Sequence, residues 1–332
     1  MNALIVCHAS TKVGLGHLSR SIVVAKILKK NFQANVKLII QGDPVFHKDL
    51  INFEYEFFSS KKSIVKKLLT QHSINIVFFD LYSKMIPSNF TEALNYLRIN
   101  KIKLVAIDGL IAFRSSLDLI FIPSFHNLLF KGPTSGAPII YGWDCFLLDQ
   151  SFKKKKWFPG QNVIVLTGGS DASNLGKYFL ELLNKKLPKN TNLYWVIGPY
   201  ASRPVLKEKK IINIKEYLSP NNISKLMQKA NYAISVFGVS FFELLKTGIP
   251  TVVFPAIKSK NKLEIEIIKK SGVAIVAKNE YEATRLLIKL MSDNNRALFI
   301  SKKASAKLKT SGEIRLSDAV ANLFEKEKYL CH

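Results

Sequence analysis

Short apolar runs alternate along the chain with longer segments in which apolar residues recur at helical spacing. In the first half the runs cover residues 3–7, 36–41, 74–79 and 104–107, and they are rich in Val, Ile, Leu and Phe. Strands this uniformly apolar are buried on both faces, and their alternation with amphipathic segments predicts βαβ units around a parallel sheet. The pattern restarts after 153–160, where four lysines precede Trp157, Phe158, Pro159 and Gly160. A charge run closed by Pro-Gly reads as a linker. Beyond it lie further runs at 162–166, 193–197, 232–236, 251–254 and 274–277. The sequence therefore predicts two α/β domains, 1–152 and 153–332, the second ending in a helix over 313–328 with Leu316, Val320 and Leu323 on one face. A chain of 332 residues is long enough for each half to bury its own core.

Composition adds a constraint on partners. With 48% hydrophobic and 22% charged residues the chain is globular, not disordered or fibrous. The formal net charge of +25 points first to nucleic acid, yet it comes from 42 Lys and only 7 Arg. Arg is the residue that reads bases and clamps phosphates bidentately, so its scarcity argues against nucleic acid. An AT-rich genome supplies the same Lys, Ile and Asn excess without any partner. A basic surface also suits an acidic nucleotide substrate, or loose attachment to an anionic inner membrane face at about 1 kcal/mol per lysine. The start carries no basic leader, and no apolar stretch reaches the roughly 20 residues of a membrane-spanning helix, so the chain is expected in the cytoplasm. Cys7, Cys145 and Cys331 are widely spaced and read as reduced thiols without a zinc site.

Three loops carry candidate chemistry. Gly14-Leu15-Gly16-His17-Leu18-Ser19-Arg20 directly follows the first strand and opens a helix bearing Val23, Val24, Ile27 and Leu28. Its glycines allow a ligand close to the backbone and the helix N-terminus favours negative charge. Ser19 stands where the dinucleotide fingerprint needs its third glycine. A tight turn with a surface histidine is the plainer reading of this loop. The second loop, Thr167-Gly168-Gly169-Ser170-Asp171, offers amides and small residues suited to a pyrophosphate, while Asp171 reads as a helix cap more than as an acid. In the third, Gly238 and Ser240 open a helix with Glu243 one turn in. There the amides and hydroxyl suit a phosphate and the carboxylate suits a ribose diol; Ser240 and Glu243 also have the spacing of a capping box.

In this order the three motifs resemble nucleotide-sugar enzymes of the GT-B fold, and among them the UDP-sugar hydrolases of pseudaminic acid biosynthesis, which remove UDP from a 2,4-diacetamido-2,4,6-trideoxy sugar. The resemblance implies two Rossmann-like domains whose parallel sheets face across a cleft, with UDP on the C-terminal domain. It makes His17 the general base. Phe79-Asp80-Leu81-Tyr82 resembles the family's Asp-x-Tyr, which sets Tyr82 beside the sugar as a second catalytic residue, and Ile107-Asp108-Gly109 resembles its next strand end. The implied substrate-binding set is Gly14, Gly16, Arg20, Asp80, Gly168, Gly169, Ser170, Asp171, Gly238, Ser240, Glu243 and Asn261. Lys262 replaces the family's Gln after Asn261, and Leu147-Leu148-Asp149-Gln150 stands where the family has Arg-Pro-Glu-Phe. His8, His47, His72 and His126 have no partner pattern and read as bystanders.

The expected reaction is a single inverting displacement at the anomeric carbon, releasing UDP and free sugar with neither cofactor nor metal, since no DxD-like pair stands out. A GT-B glycosyltransferase in surface glycan assembly is the alternative, with an acceptor hydroxyl in place of water. A non-hydrolysing 2-epimerase would need an acidic and histidine set that the chain lacks. A non-catalytic binding protein acting through its lysines is the reading from a different class.

Overall fold

A computed structural model of the chain describes every residue except 11–13, 46, 60–63, 71–72, 126–134, 221, 256–261, 309–311 and 329–332, and only the backbone of 326–328. The chain divides into two compact units, Met1–Leu148 with Thr310–His332, and Asp149–Lys309.

Among the described residues of the first unit, strands β1 (Asn2–Ala9), β2 (Asn35–Gly42), β3 (Glu54–Phe58), β4 (Ile76–Asp80), β5 (Lys103–Ile107), β6 (Leu119–Ile122) and β7 (Ile139–Tyr141) form one parallel sheet in the order 3-2-1-4-5-6-7. Helices α1 (Gly16–Phe32), α2 (Ile64–Leu69) and α3 (Phe90–Ile99) fall between strands. β1 is apolar at nearly every position because it lies in the middle of the sheet, buried on both faces. After β3 the chain returns across the sheet to β4 on the other side of β1. The carboxyl ends of β1 and β4 therefore border the point where the strand order reverses, the usual ligand position in open α/β sheets.

The second unit repeats this plan. Its strands are β8 (Asn162–Leu166), β9 (Asn192–Ile197), β10 (Asn213–Leu218), β11 (Tyr232–Val236), β12 (Thr251–Phe254) and β13 (Ile275–Val276), parallel in the order 10-9-8-11-12-13. Its helices are α4 (Phe179–Lys186), α5 (Ile223–Lys229), α6 (Val239–Thr247), α7 (Lys262–Ser271), α8 (Glu280–Met291) and α9 (Asn294–Lys307). Here the reversal lies between β8 and β11. A Cβ at Gly198, just after β9, would run into the carbonyls of Gly168 and Gly169, so this position needs glycine.

The division differs from the sequence reading in two ways. The first unit ends at Leu148, ahead of the lysine run. The last helix, α10 (Gly312–Lys328), belongs to the first unit and not to the second. Leu316 and Val320 are fully buried in the first unit's core with Leu18, Ile22 and Ala25 of α1. Leu323 packs beside them, Asn31 donates to Ser317 Oγ at 2.8 Å and Lys30 pairs with Glu313 at 3.0 Å. The helical period was legible in the sequence, but nothing in a period says which core the apolar stripe enters. Strands β3, β7 and β10 were not anticipated because they are edge strands whose exposed positions break the apolar run. β6 follows β5 through a short 3-10 turn, Ile111–Ser116, without a helical spacing to announce it.

Leu316→Ala should therefore destabilise the first unit by about 2–5 kcal/mol, the usual cost of a buried Leu truncation. In calorimetry the first unit's transition should move down while the second unit's stays in place.

Candidate active site

Helix α1 presents His17 and Arg20, three residues apart and so on one face, to the end of β4. There Asp80, 1% exposed, receives both. His17 Nδ1 lies 2.6 Å from Asp80 Oδ1, Arg20 Nη2 donates to the same oxygen at 2.6 Å, and Arg20 Nε donates to Oδ2 at 2.8 Å. Arg20 Nη1 reaches on to Asp108 Oδ2 at 2.7 Å, just past β5. One guanidinium thus joins the ends of two neighbouring strands. Asp108 has a backbone φ of 59°, and its N–H donates to the Phe121 carbonyl at 3.0 Å.

Burial alone would raise the Asp80 carboxyl. The positive charge of Arg20, with the hydrogen bonds from Arg20 and His17, outweighs it and holds the group below the usual carboxylate range. A carboxylate 2.6 Å from a ring nitrogen needs the proton between them, so His17 carries its proton on Nδ1 and donates it to Asp80. Nε2 is then the basic nitrogen. Tyr82 flanks the pair, its ring edge-on to His17 with centroids 6.5 Å apart. Gly14 forms a tight turn at φ 80°, its N–H donating to the Ser10 carbonyl at 2.7 Å, and Gly16 is the first residue of α1. Cys7 lies beside Asp80 in the sheet, and burial, followed by the Asp80 charge, pushes its thiol up to about 12, so it is an inert thiol.

His8, read as a bystander without a partner pattern, has two hydrogen-bond partners. It is buried in β1, its Nε2 2.9 Å from Gln41 Oε1, and its Nδ1 accepts the Tyr82 N–H at 2.8 Å. The partners lie 33 and 74 residues away in sequence, so no local spacing could announce them.

In the second unit the two anticipated loops follow β8 and β11, the strands that border its reversal point. Gly168 adopts φ 92° and the Gly169 carbonyl accepts the Tyr200 N–H at 2.9 Å, with Ser170 partly exposed next to them. Asp171 is a capping group: its two oxygens accept the N–H groups of Leu175 at 2.9 Å and Gly176 at 2.8 Å. After β11, Gly238 is the N-cap of α6 in extended conformation, and a Cβ there would meet nothing within 4 Å. The capping box is not formed, because the helix begins two residues before the position the box requires. Ser240 sits inside the first turn and no side chain caps the helix. With glycine at the N-cap, no N-cap side chain accepts from the first amides of α6. Glu243 is half-buried, and burial, then the charge of Asp149, raises its carboxyl to about 7 against the opposing pull of Lys246.

Asn261 lies outside the described residues. Among the described residues no group of three or more His, Cys, Asp or Glu is placed to hold a metal ion, and no helix is long and apolar enough to cross a membrane.

No family model matches the chain. An uncharacterised protein of Methanocaldococcus jannaschii is 24% identical over 278 residues, which cover 76% of this chain and 55% of that protein, so the chain spans about half the length of the curated relative it matches. Among solved structures, MnaA of S. aureus in complex with UDP aligns over 99% of this chain and 98% of its own, with a TM-score of 0.61 and 14% identity. UGT89C1 of Arabidopsis thaliana in complex with UDP-L-rhamnose aligns over 97% and 98%, with a TM-score of 0.63 and 12% identity. Identities this low carry the fold and nothing finer: this is an α/β chain with two parallel-strand sheets, of the GT-B type.

Proposed function

We propose that this protein is an enzyme that hydrolyses a UDP-linked sugar at its anomeric C–O bond, with His17 as the general base. The observation that carries the reading is the His17–Asp80 pair, which leaves a basic Nε2 on an imidazole held in one orientation. In the proposed step Nε2 takes a proton from water as the oxygen attacks the anomeric carbon opposite UDP. The new C–O bond forms as the bond to the diphosphate breaks, and the configuration inverts. Asp80 stabilises the resulting imidazolium, as the carboxylate of a catalytic triad does, without itself taking the proton. Arg20 keeps Asp80 ionised for that role. Tyr82 borders the sugar.

The second unit supplies the nucleotide site in this reading. Amides at the start of α6, where the N-cap is a glycine, and the turn at Gly168, Gly169 and Ser170 receive the diphosphate, and the partial positive charge of the helix end offsets its charge. Glu243 accepts from the ribose hydroxyls. Two proteins of the same fold bind UDP or a UDP-sugar, which supports this assignment. The motif resemblance narrows the substrate to a UDP-2,4-diacetamido-2,4,6-trideoxy sugar, whose free sugar would enter nonulosonic acid synthesis.

Incubation with a panel of UDP-sugars and no acceptor should release UDP and free sugar, and in oxygen-18 water the label should enter the sugar. UDP release only when an acceptor is added would make the protein a glycosyltransferase, and label in UDP would mean attack at phosphorus. His17→Asn should lower turnover about 10²- to 10⁴-fold while UDP affinity stays within experimental error.

Glu243 gives a second test. A carboxyl raised to about 7 must lose its proton to accept the ribose hydroxyls, so this contribution to UDP affinity is complete above about pH 8 and fades as the pH falls through 7. Calorimetry should find Glu243→Gln binding UDP about tenfold or more weakly than wild type at pH 8. The two should converge near pH 5.5, and because the ionisation of UDP itself is common to both, a ratio that does not change with pH would remove Glu243 from the site.

A further inference from the structure

We propose that His8 is a positioning residue: as a neutral imidazole protonated on Nε2 it holds the backbone of Tyr82 through Nδ1, and so sets the Tyr82 ring beside His17. The inference rests on the reading of His17 and Tyr82 given above.

The tautomer follows from the donors. A backbone N–H can only donate, and Tyr82 N–H lies 2.8 Å from His8 Nδ1, so Nδ1 carries no proton. The single proton of the neutral ring is then on Nε2, where Gln41 Oε1 accepts it at 2.9 Å. Sheet register makes this pairing possible, because His8 of β1 and Gln41 of β2 are direct cross-strand neighbours. Protonating the ring would set one N–H against another at Tyr82. The groups around it oppose that event on balance: burial and the neighbouring His17 of α1 disfavour the charge, while the Gln41 hydrogen bond and the Asp80 carboxylate of β4 favour it, and the net direction is downward.

Tyr82 needs such a tether. It lies two residues past the end of β4, beyond the paired strand residues. Its carbonyl accepts the Met85 N–H at 2.9 Å and its N–H is taken by His8, so both backbone polar groups of the residue are fixed. The imidazole of His8 lies edge-to-face with that of His17, ring centroids 6.5 Å apart, the same separation as between His17 and Tyr82. A residue with no reach to the reacting atoms thereby decides where a neighbour of the base stands.

Two substitutions separate this role from simple packing. In His8→Asn the amide oxygen occupies the Nδ1 position and can accept the Tyr82 N–H. His8→Gln is nearer in volume but carries its polar atoms at the Nε2 position. Hydrogen exchange of the Tyr82 amide should be about tenfold or more faster than wild type in the Gln variant and within about threefold of it in the Asn variant. Turnover of the UDP-sugar should follow the same order, at unchanged UDP affinity, with Asn restoring most of what Gln loses. Nitrogen-15 spectra of the wild-type ring should report the neutral Nε2–H form at neutral pH. Equal Tyr82 exchange in all three proteins, or a proton on Nδ1, would overturn the proposal. Exchange and ring spectra need no substrate, so they decide the role of His8 even if no UDP-sugar is turned over.

Discussion

The first unit is organised around a carboxylate that cannot be left alone. An unpaired charge as deeply buried as Asp80 would cost several kcal/mol, and removing one partner of such a group typically costs about 3–5 kcal/mol. Asp80 meets this by accepting from Arg20 through two nitrogens and from His17 through one. Each partner then constrains something else. Arg20 must also reach Asp108, which ties the ends of β4 and β5 to α1. His17 must keep its proton on Nδ1, which makes the other nitrogen a base. In the proposed mechanism stability and chemistry thus depend on the same oxygens.

The second unit has the same topology and a different electrostatic solution. At its strand-order reversal stand glycines, backbone amides and a helix end with no side-chain cap, in place of a buried ion pair. Such a surface suits a ligand that brings its own negative charge, whereas the first unit's pair suits a ligand that gives up a proton. The proposed division of roles follows from what each reversal point carries.

Much of this was legible in the sequence. The βαβ alternation gave the fold class, and the resemblance carried by the Gly-x-Gly-His-x-x-Arg and Asp-x-Tyr motifs pointed to His17, Arg20, Asp80 and Tyr82, which the fold brings together. What was not legible has a common physical cause. His8 bonds to Gln41, its cross-strand neighbour, and to the Tyr82 amide just past β4, partners set by the tertiary fold and not by sequence spacing. Glu243 and Ser240 have a capping-box spacing, yet the helix starts at Val239 because Gly238 takes the cap, so the motif was present without its geometry. The apolar stripe of α10 was clear, but its burial against α1 is a tertiary choice that periodicity cannot record.

The account depends most directly on Asp80 fixing the His17 tautomer, and one substitution isolates that claim. Asp80→Asn keeps the shape and removes the charge that draws the proton to Nδ1. Measured on the UDP-sugar that wild type turns over best, its turnover should fall about 10³- to 10⁴-fold with UDP affinity unchanged, as when the carboxylate of a catalytic triad is neutralised. A folded Asp80→Asn protein that retains turnover within about tenfold of wild type would contradict the assignment of His17 as an Asp80-oriented base.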